Sequence, residues 1–272
     1  MDDVAAYFQA VTELKPETKN YTTWILIAVN EMKGKKIDQL SSMFEHGYKI
    51  LLDSGVYSLA ASHARKNKVT HDTALTTPLK QIEGFESLMT NWKRVVDEYG
   101  NRLWGYIELD IGGRDQKIET RTALEEEGYR PIPVIHPLND GWDYFDEMAD
   151  KYDRLCLGNL VNAFADKREH ILSEALKRRQ GKSVKWIHAL GVTPSPTWLA
   201  YPTESCDSSS FKAPMMYGGE LTHITSFNKG LVTNEVYTTK SGQQCHIIQS
   251  RQAGILDSHV KSYMGGTDDR IV

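Results

Sequence analysis

Six short apolar runs in this chain end on an acidic, imidazole or glycine-flanked polar group. Ile50-Leu51-Leu52 runs into Asp53-Ser54-Gly55, and Ile107-Glu108-Leu109 into Asp110-Ile111-Gly112-Gly113. Val134-Ile135 stops at His136, Leu155-Cys156-Leu157 at Gly158-Asn159, and Ile187-His188-Ala189-Leu190 at Gly191. Glu204-Ser205-Cys206 ends at Asp207, followed by three serines. Each feature alone has a plain explanation. Asp-Ser-Gly is a good turn sequence, Asp110 can cap a helix, His136 before Pro137 reads as a hydrogen-bonded structural histidine, and Asp207-Ser208-Ser209-Ser210 as a polar loop. Together, three carboxylates at three strand ends converge on one mouth. Clustering like charges is costly unless a ligand or a reaction uses them. One carboxylate can then attack carbon while another handles a proton.

Such convergence needs parallel strands whose C-terminal ends share a face. Apolar runs rich in β-branched residues alternate with longer amphipathic stretches, the pattern of a parallel sheet with helical crossovers. Strands are predicted at 24–29, 49–52, 103–110, 131–136, 154–160, 184–190 and 203–206, with an eighth between 215 and 224. Helices are predicted at 2–14, 36–45, 81–99, 116–127, 143–152, 166–179 and 197–201, and the Thr-rich segment 67–78 reads as a long loop. The expected fold is α/β, a (β/α)8 TIM-like barrel over residues 1–225. Residues 226–272 form a trimmed C-terminal extension that packs on or completes it. Chemistry in such a barrel collects where strands end.

Composition narrows the function. The 272 residues are 40% hydrophobic and 25% charged, and a single barrel of about 250 residues accounts for nearly all of them. Lys and Arg number 32 against 36 Asp and Glu, a net charge of −4, which excludes a polybasic binder held by bulk charge but leaves room for a local basic groove. Cys156, Cys206 and Cys245 form no Cys-x-x-Cys pair, which argues against a Cys-rich zinc module and for reduced thiols. The acidic N-terminus lacks the pattern of a secretory signal. The longest apolar run, residues 24–29, is far short of the roughly 20 needed to span a bilayer. A cytoplasmic location is expected (a host's cytoplasm if the gene is carried by a phage), with no membrane partner. The oligomeric state is open.

These residues resemble the tRNA-guanine transglycosylase superfamily. Asp53-Ser54-Gly55-Val56-Tyr57 is similar to the family's Asp-Ser-Gly-Gly-aromatic motif after the second strand, and Leu109-Asp110-Ile111 to an archaeal-type Leu-Asp-Ile segment. Ile187-His188-Ala189-Leu190-Gly191-Val192-Thr193-Pro194 resembles the strand end that precedes the catalytic aspartate. Sixteen positions after Gly191, Cys206-Asp207-Ser208-Ser209-Ser210-Phe211 resembles the nucleophile segment. The resemblance covers residues 20–215 in order. The Cys-x-Cys-x-x-Cys zinc set of the enzymes acting on tRNA is absent, as is the length for their RNA-binding domains. His136 stands where glutamine is usual, and Asn159 where glycine is common. The trimmed form is most similar to phage-type enzymes that place 7-deazaguanine bases, relatives of the queuosine precursors, into DNA.

The resemblance implies a pentosyltransferase with Asp207 as nucleophile and Asp53 as acid/base; the sequence itself shows no ligand spacing for a metal, and no metal or cofactor is expected. It implies that Asp110 accepts hydrogen bonds from the amino and imino edge of a guanine-like ring. His136, Gly158, Asn159 and Gly191 then flank that ring, and Tyr57 and Leu190 sandwich it. Lys212, Lys229 and Arg251 are candidates for nucleic-acid phosphate contacts, whereas Lys177-Arg178-Arg179 reads as a solvated helix end. The expected partners are DNA and a free 7-deazaguanine-type base. Competing readings are a tRNA-guanine transglycosylase, a non-catalytic purine- or nucleic-acid-binding barrel subunit, and a hydrolytic glycosylase.

Overall fold

Ile25, Leu26 and Ile27 begin a repeating pattern in which aliphatic stretches too short for helices pair as strands. A computed structural model describes residues 24–32, 37–45, 47–161, 163–192, 201 and 203–207. Its elements, in chain order, are β1 (Trp24–Ala28), α1 (Asp38–Glu45), β2 (Lys49–Asp53), α2 (Val56–Asn67), α3 (His71–Thr76), α4 (Phe85–Tyr99), β3 (Gly105–Tyr106), α5 (Gly113–Glu126), β4 (Val134–Ile135), α6 (Pro137–Asp140), α7 (Trp142–Lys151), β5 (Arg154–Leu157), α8 (Ala165–Arg178), β6 (Trp186–Ala189) and β7 (Ser205–Cys206). The protein is a mixed α/β structure with parallel sheets. One sheet runs β1-β2-β3 and the other β4-β5-β6-β7, with every pair parallel. A single parallel bridge, Ile107 to Ile132, joins them. Strand order therefore follows chain order throughout, as helical crossovers of one hand produce. Among the described residues, β1 and β7 are the two edges.

Alternation along each strand divides the core. Ile50 and Leu52 of β2 pack outward with α4 residues Leu88, Trp92, Val95 and Val96, whose spacing lays one apolar stripe against the sheet. Leu155 and Leu157 of β5 and Ile187 of β6 do the same with Tyr144, Phe145 and Met148 of α7. Residues of opposite parity, Leu51, Ile107, Val134, Cys156 and Trp186, form a third cluster on the inner face, with Leu26 against it. Trp104, just before β3, and Trp186 of β6 have ring centroids 4.6 Å apart. In a flat sheet three strand spacings amount to about 14 Å, so the inner face is concave. Cys156 and Cys206 are both buried.

A charged layer lies between the sheet and α5 and α7. Arg121 donates to Glu108 at 2.7 Å and to the Tyr144 hydroxyl at 3.0 Å, all three side chains being buried. The other Glu108 oxygen accepts the Val134 N–H at 2.6 Å. Burial works against the Arg121 charge, but Glu108 and Tyr144 reverse that effect and raise its pKa. Lys117, equally buried, donates to Asp140 at 2.5 Å and to the Val134 carbonyl at 3.0 Å.

The structure corrects the expected elements at several points. The segment 67–78 is not one loop: it contains α3, whose first turn is capped by Thr70 accepting the Thr73 N–H at 3.1 Å. The α2 helix was not expected because its buried stripe is Val56, Ala60 and Ala64, small residues that hardly register as an apolar face. Paired strands are shorter than their apolar runs; the 103–110 stretch forms a ladder only at Gly105–Tyr106, plus the Ile107 bridge. The segments 2–14, 197–200, 215–224 and 226–272 lie outside the described residues.

Arg121→Met should leave the Glu108 carboxylate buried without its cation. Breaking such a pair costs about 3–5 kcal/mol, which urea unfolding monitored by circular dichroism will register as a lowered midpoint.

Candidate active site

The C-terminal ends of the strands gather at one end of the two sheets and bring their last residues, or those just after them, to one place. Asp53 closes β2, Asp110 follows β3, His136 follows β4, Gly158 follows β5, Leu190 follows β6 and Asp207 follows β7. All six line a single cavity of about 560 Å³, together with Tyr57, Asn159 and Gly191. The structure thus brings together nine of the residues singled out from the sequence. Asp53 and Asp207, five strands apart along the sheet order, share this cavity because the inner face is concave. Lys212, Lys229 and Arg251 lie outside the described residues.

Each acid is held differently. Asp207 Oδ1 accepts from the Gly191 N–H at 2.7 Å and lies 3.1 Å from His188 Nε2. Gly191 adopts φ +67°, and a Cβ there would meet Val161 at 2.1 Å, so only glycine lets this backbone approach the carboxylate. Asp110 Oδ1 accepts from Ser54 Oγ at 3.2 Å, and its Oδ2 lies 3.1 Å from His136 Nε2. The His136 backbone N–H donates to Asp140 at 2.7 Å, which places the ring. Gly158 leaves the ring its room, since a Cβ would fall 2.6 Å from it. Asp53 accepts the Gly55 N–H at 3.1 Å.

The electrostatics follow from these contacts. Burial, then the neighbouring charges of Asp110 and Asp207, push the Asp53 carboxyl up to about 7, against the hydrogen bonds from Gly55 and Ser54. Burial also acts to raise Asp110, but the hydrogen bond and charge of His136, with Lys117 behind, outweigh it and hold that group below its ordinary range. One acid is therefore poised to exchange a proton near neutrality while its neighbour stays charged, the arrangement acid–base chemistry requires. The Cys156 thiol, buried beneath the carboxylates, is pushed well up and stays protonated.

Several contributors to the site escaped the sequence reading. His188 shares the inner face with Trp186 and Leu190 by two-residue alternation, a signal present in the sequence, yet it reads as part of an apolar run. His71 lines the cavity from α3, its ring 4.6 Å from that of Tyr57, which is 51% exposed at the rim. Asp72 accepts from Asn159 at 2.7 Å and ties α3 to the β5 loop. Arg168 also lines the cavity and donates to the carbonyls of Leu160 and Ala163, each at 3.2 Å, bracing that loop.

The trio Ser205, His188 and Asp207 has the composition of a hydrolytic triad but not its geometry. Ser205 is fully buried beneath the ring and does not line the cavity; the member facing the cavity is the carboxylate. Among the described residues, no group of three or more His, Cys, Asp or Glu is arranged to hold a metal ion, and no helix is long and apolar enough to cross a membrane. No family model matches the chain, and no curated protein matches it.

The Asp53 proton leads to a stability test. The folded protein retains this proton up to about pH 7, whereas the unfolded chain loses it near pH 4. Asp53 thus lowers stability progressively as pH rises between those values, and the loss persists above them. Asp53→Asn should match the wild type below about pH 4 and be more stable at pH 8 by up to about 4 kcal/mol, as read from denaturation midpoints across pH.

Proposed function

We propose that this protein is a base-exchange transglycosylase that replaces guanine in DNA with a 7-deazaguanine derivative through a covalent Asp207–sugar intermediate. The strands in this reading close into a (β/α)8 barrel over residues 1–225. The observation that carries the proposal is the pairing of Asp53 and Asp207 at one cavity of about 560 Å³, with the Asp53 pKa raised to about 7. A volume of that order suits a small planar ligand with part of a sugar.

In the first half-reaction Asp207 attacks C1′ of the target nucleoside from the face opposite the base. A C1′–oxygen bond forms as the C1′–N9 bond breaks, and the electron pair goes to the departing guanine, which takes the Asp53 proton. In the second, the incoming base gives its N9 proton to the Asp53 carboxylate and attacks C1′, and the Asp207 carboxylate leaves. Two displacements restore the original configuration. Asp110, kept anionic, accepts from the amino and imino edge of the ring, since each of its oxygens retains a lone pair beyond those engaged by Ser54 and His136. Tyr57, backed by His71, and Leu190 offer apolar surfaces to the ring faces. The nucleotide must be unstacked to enter.

Incubation with labelled guanine and single-stranded DNA should place label in the polymer, and Asp207→Asn should abolish both the label and a denaturation-resistant protein–DNA adduct. Label in tRNA but never in DNA reassigns the polymer, while free base without exchange reassigns the reaction to hydrolysis. Binding without adduct or product overturns catalysis. Adduct formation should be flat below about pH 7 and fall about tenfold per pH unit above it, because the departing base then lacks the Asp53 proton.

A further inference from the structure

We propose that His188 is the positioning residue of the Asp207 carboxylate: it holds one oxygen so that the other faces the sugar carbon, with Ser205 selecting its tautomer. The inference rests on the base-exchange reading for its catalytic consequence, but its geometry stands apart from that reading. Among the described residues, the two side-chain contacts of Asp207 fall on the same atom, Oδ1, from His188 Nε2 at 3.1 Å and from the Gly191 N–H at 2.7 Å. A free aspartate can exchange its two oxygens by rotating about its last torsion. Two donors on Oδ1, one from a rigid backbone and one from a buried ring, stop that rotation and leave Oδ2 to the cavity.

The proton positions follow from the partners. A carboxylate only accepts, so Nε2 must carry hydrogen; in a neutral imidazole Nδ1 is then an acceptor and needs a donor. Ser205 Oγ lies 2.7 Å from Nδ1 and supplies one. The chain thus runs from the Ser205 hydroxyl to Nδ1, and from Nε2–H to Asp207. The ring itself cannot swing. His188 is completely buried, and its plane stacks on Trp186 with centroids 5.5 Å apart and 11° between the rings. Trp186 in turn packs on Trp104. A fully buried imidazole with both nitrogens engaged is stable only in this orientation.

Attack on C1′ needs the nucleophilic oxygen in line with the departing base, and a misplacement of about 1 Å costs on the order of 100-fold in rate. The same contacts act on the return step. Oδ1 becomes an ester carbonyl oxygen in the covalent intermediate, a weaker acceptor than a carboxylate oxygen, so the two donors favour departure of Asp207 when the second base attacks. His188 therefore serves both halves of the reaction without touching substrate.

Two variants separate positioning from packing. His188→Phe keeps a ring against Trp186 but has no donor, whereas His188→Gln restores an amide N–H. His188→Phe should lower kcat for guanine exchange on the order of 100-fold while KM for guanine changes less than about threefold, and His188→Gln should recover about tenfold of the loss. Equal impairment of the two variants, or a wild-type kcat in a folded His188→Phe protein, overturns the proposal. Side-chain nitrogen chemical shifts of histidine-labelled protein test it without catalysis. Wild type should show His188 with hydrogen on Nε2 alone, and Ser205→Ala should mix the tautomers; hydrogen on Nδ1 alone in the wild type overturns it. If the wild type neither exchanges guanine nor forms an adduct, the base-exchange reading falls, and the shifts still decide the role of His188.

Discussion

Mutual repulsion among three carboxylates around one cavity is the constraint that the rest of this structure answers. Asp110 and Asp207 each have two partners among the described side-chain contacts, with an imidazole nitrogen in both sets. Asp53 has backbone hydrogen bonds from Gly55 and Ser54 but, among the described residues, no imidazole, and feels the charges of both other acids. Burial and the charges of Asp110 and Asp207 make the Asp53 charge the hardest of the three to sustain, so a proton resides there. The division of labour between a proton-carrying acid and a charged one follows from His136 and Lys117 standing beside Asp110, while burial and like charges act on Asp53. No exotic local feature is required.

The supply of those donors reaches well behind the cavity. Lys117 sits on the outer face of the sheet, yet it acts on Asp110 through space and on His136 through Asp140, which accepts the His136 backbone N–H. Gly158 completes the arrangement by withholding a side chain where the His136 ring must lie. The buried polar groups of α5 and α6 thus support the His136 imidazole, which in turn supports Asp110.

Much of the cavity was legible in the amino-acid order because a strand announces its end. An apolar run that stops at Asp53, Asp110, His136 or Asp207 identifies both the residue and the side of the molecule that it reaches. The parallel order was legible for the same reason, from alternation of short and long periodicities. What stayed hidden falls into three kinds. His188 lies inside an apolar run, where a polar residue is readily taken for a core exception. His71 and Asp72 sit in a Thr-rich segment whose short helix is marked only by the Thr70 cap and by two buried apolar residues, Ala74 and Leu75, too few to show a periodicity. Glu108, Lys117, Arg121 and Asp140 look like ordinary surface charges until tertiary packing pairs them across distant parts of the chain.

The junction between the two sheets carries a consequence for how such a protein can change. Backbone pairing there narrows to the Ile107–Ile132 bridge, and the Glu108 side chain, clasped by Arg121, takes up the Val134 N–H just beyond it. Asp53 stands on one side of this seam and Asp207 on the other. The seam between them is thus fastened by two backbone hydrogen bonds at Ile132 and by one buried carboxylate that depends on its cation. Exchange at position 108 or 121 alone would leave a buried charge unpaired at this seam, so a lineage can alter the pair readily only by changing both together.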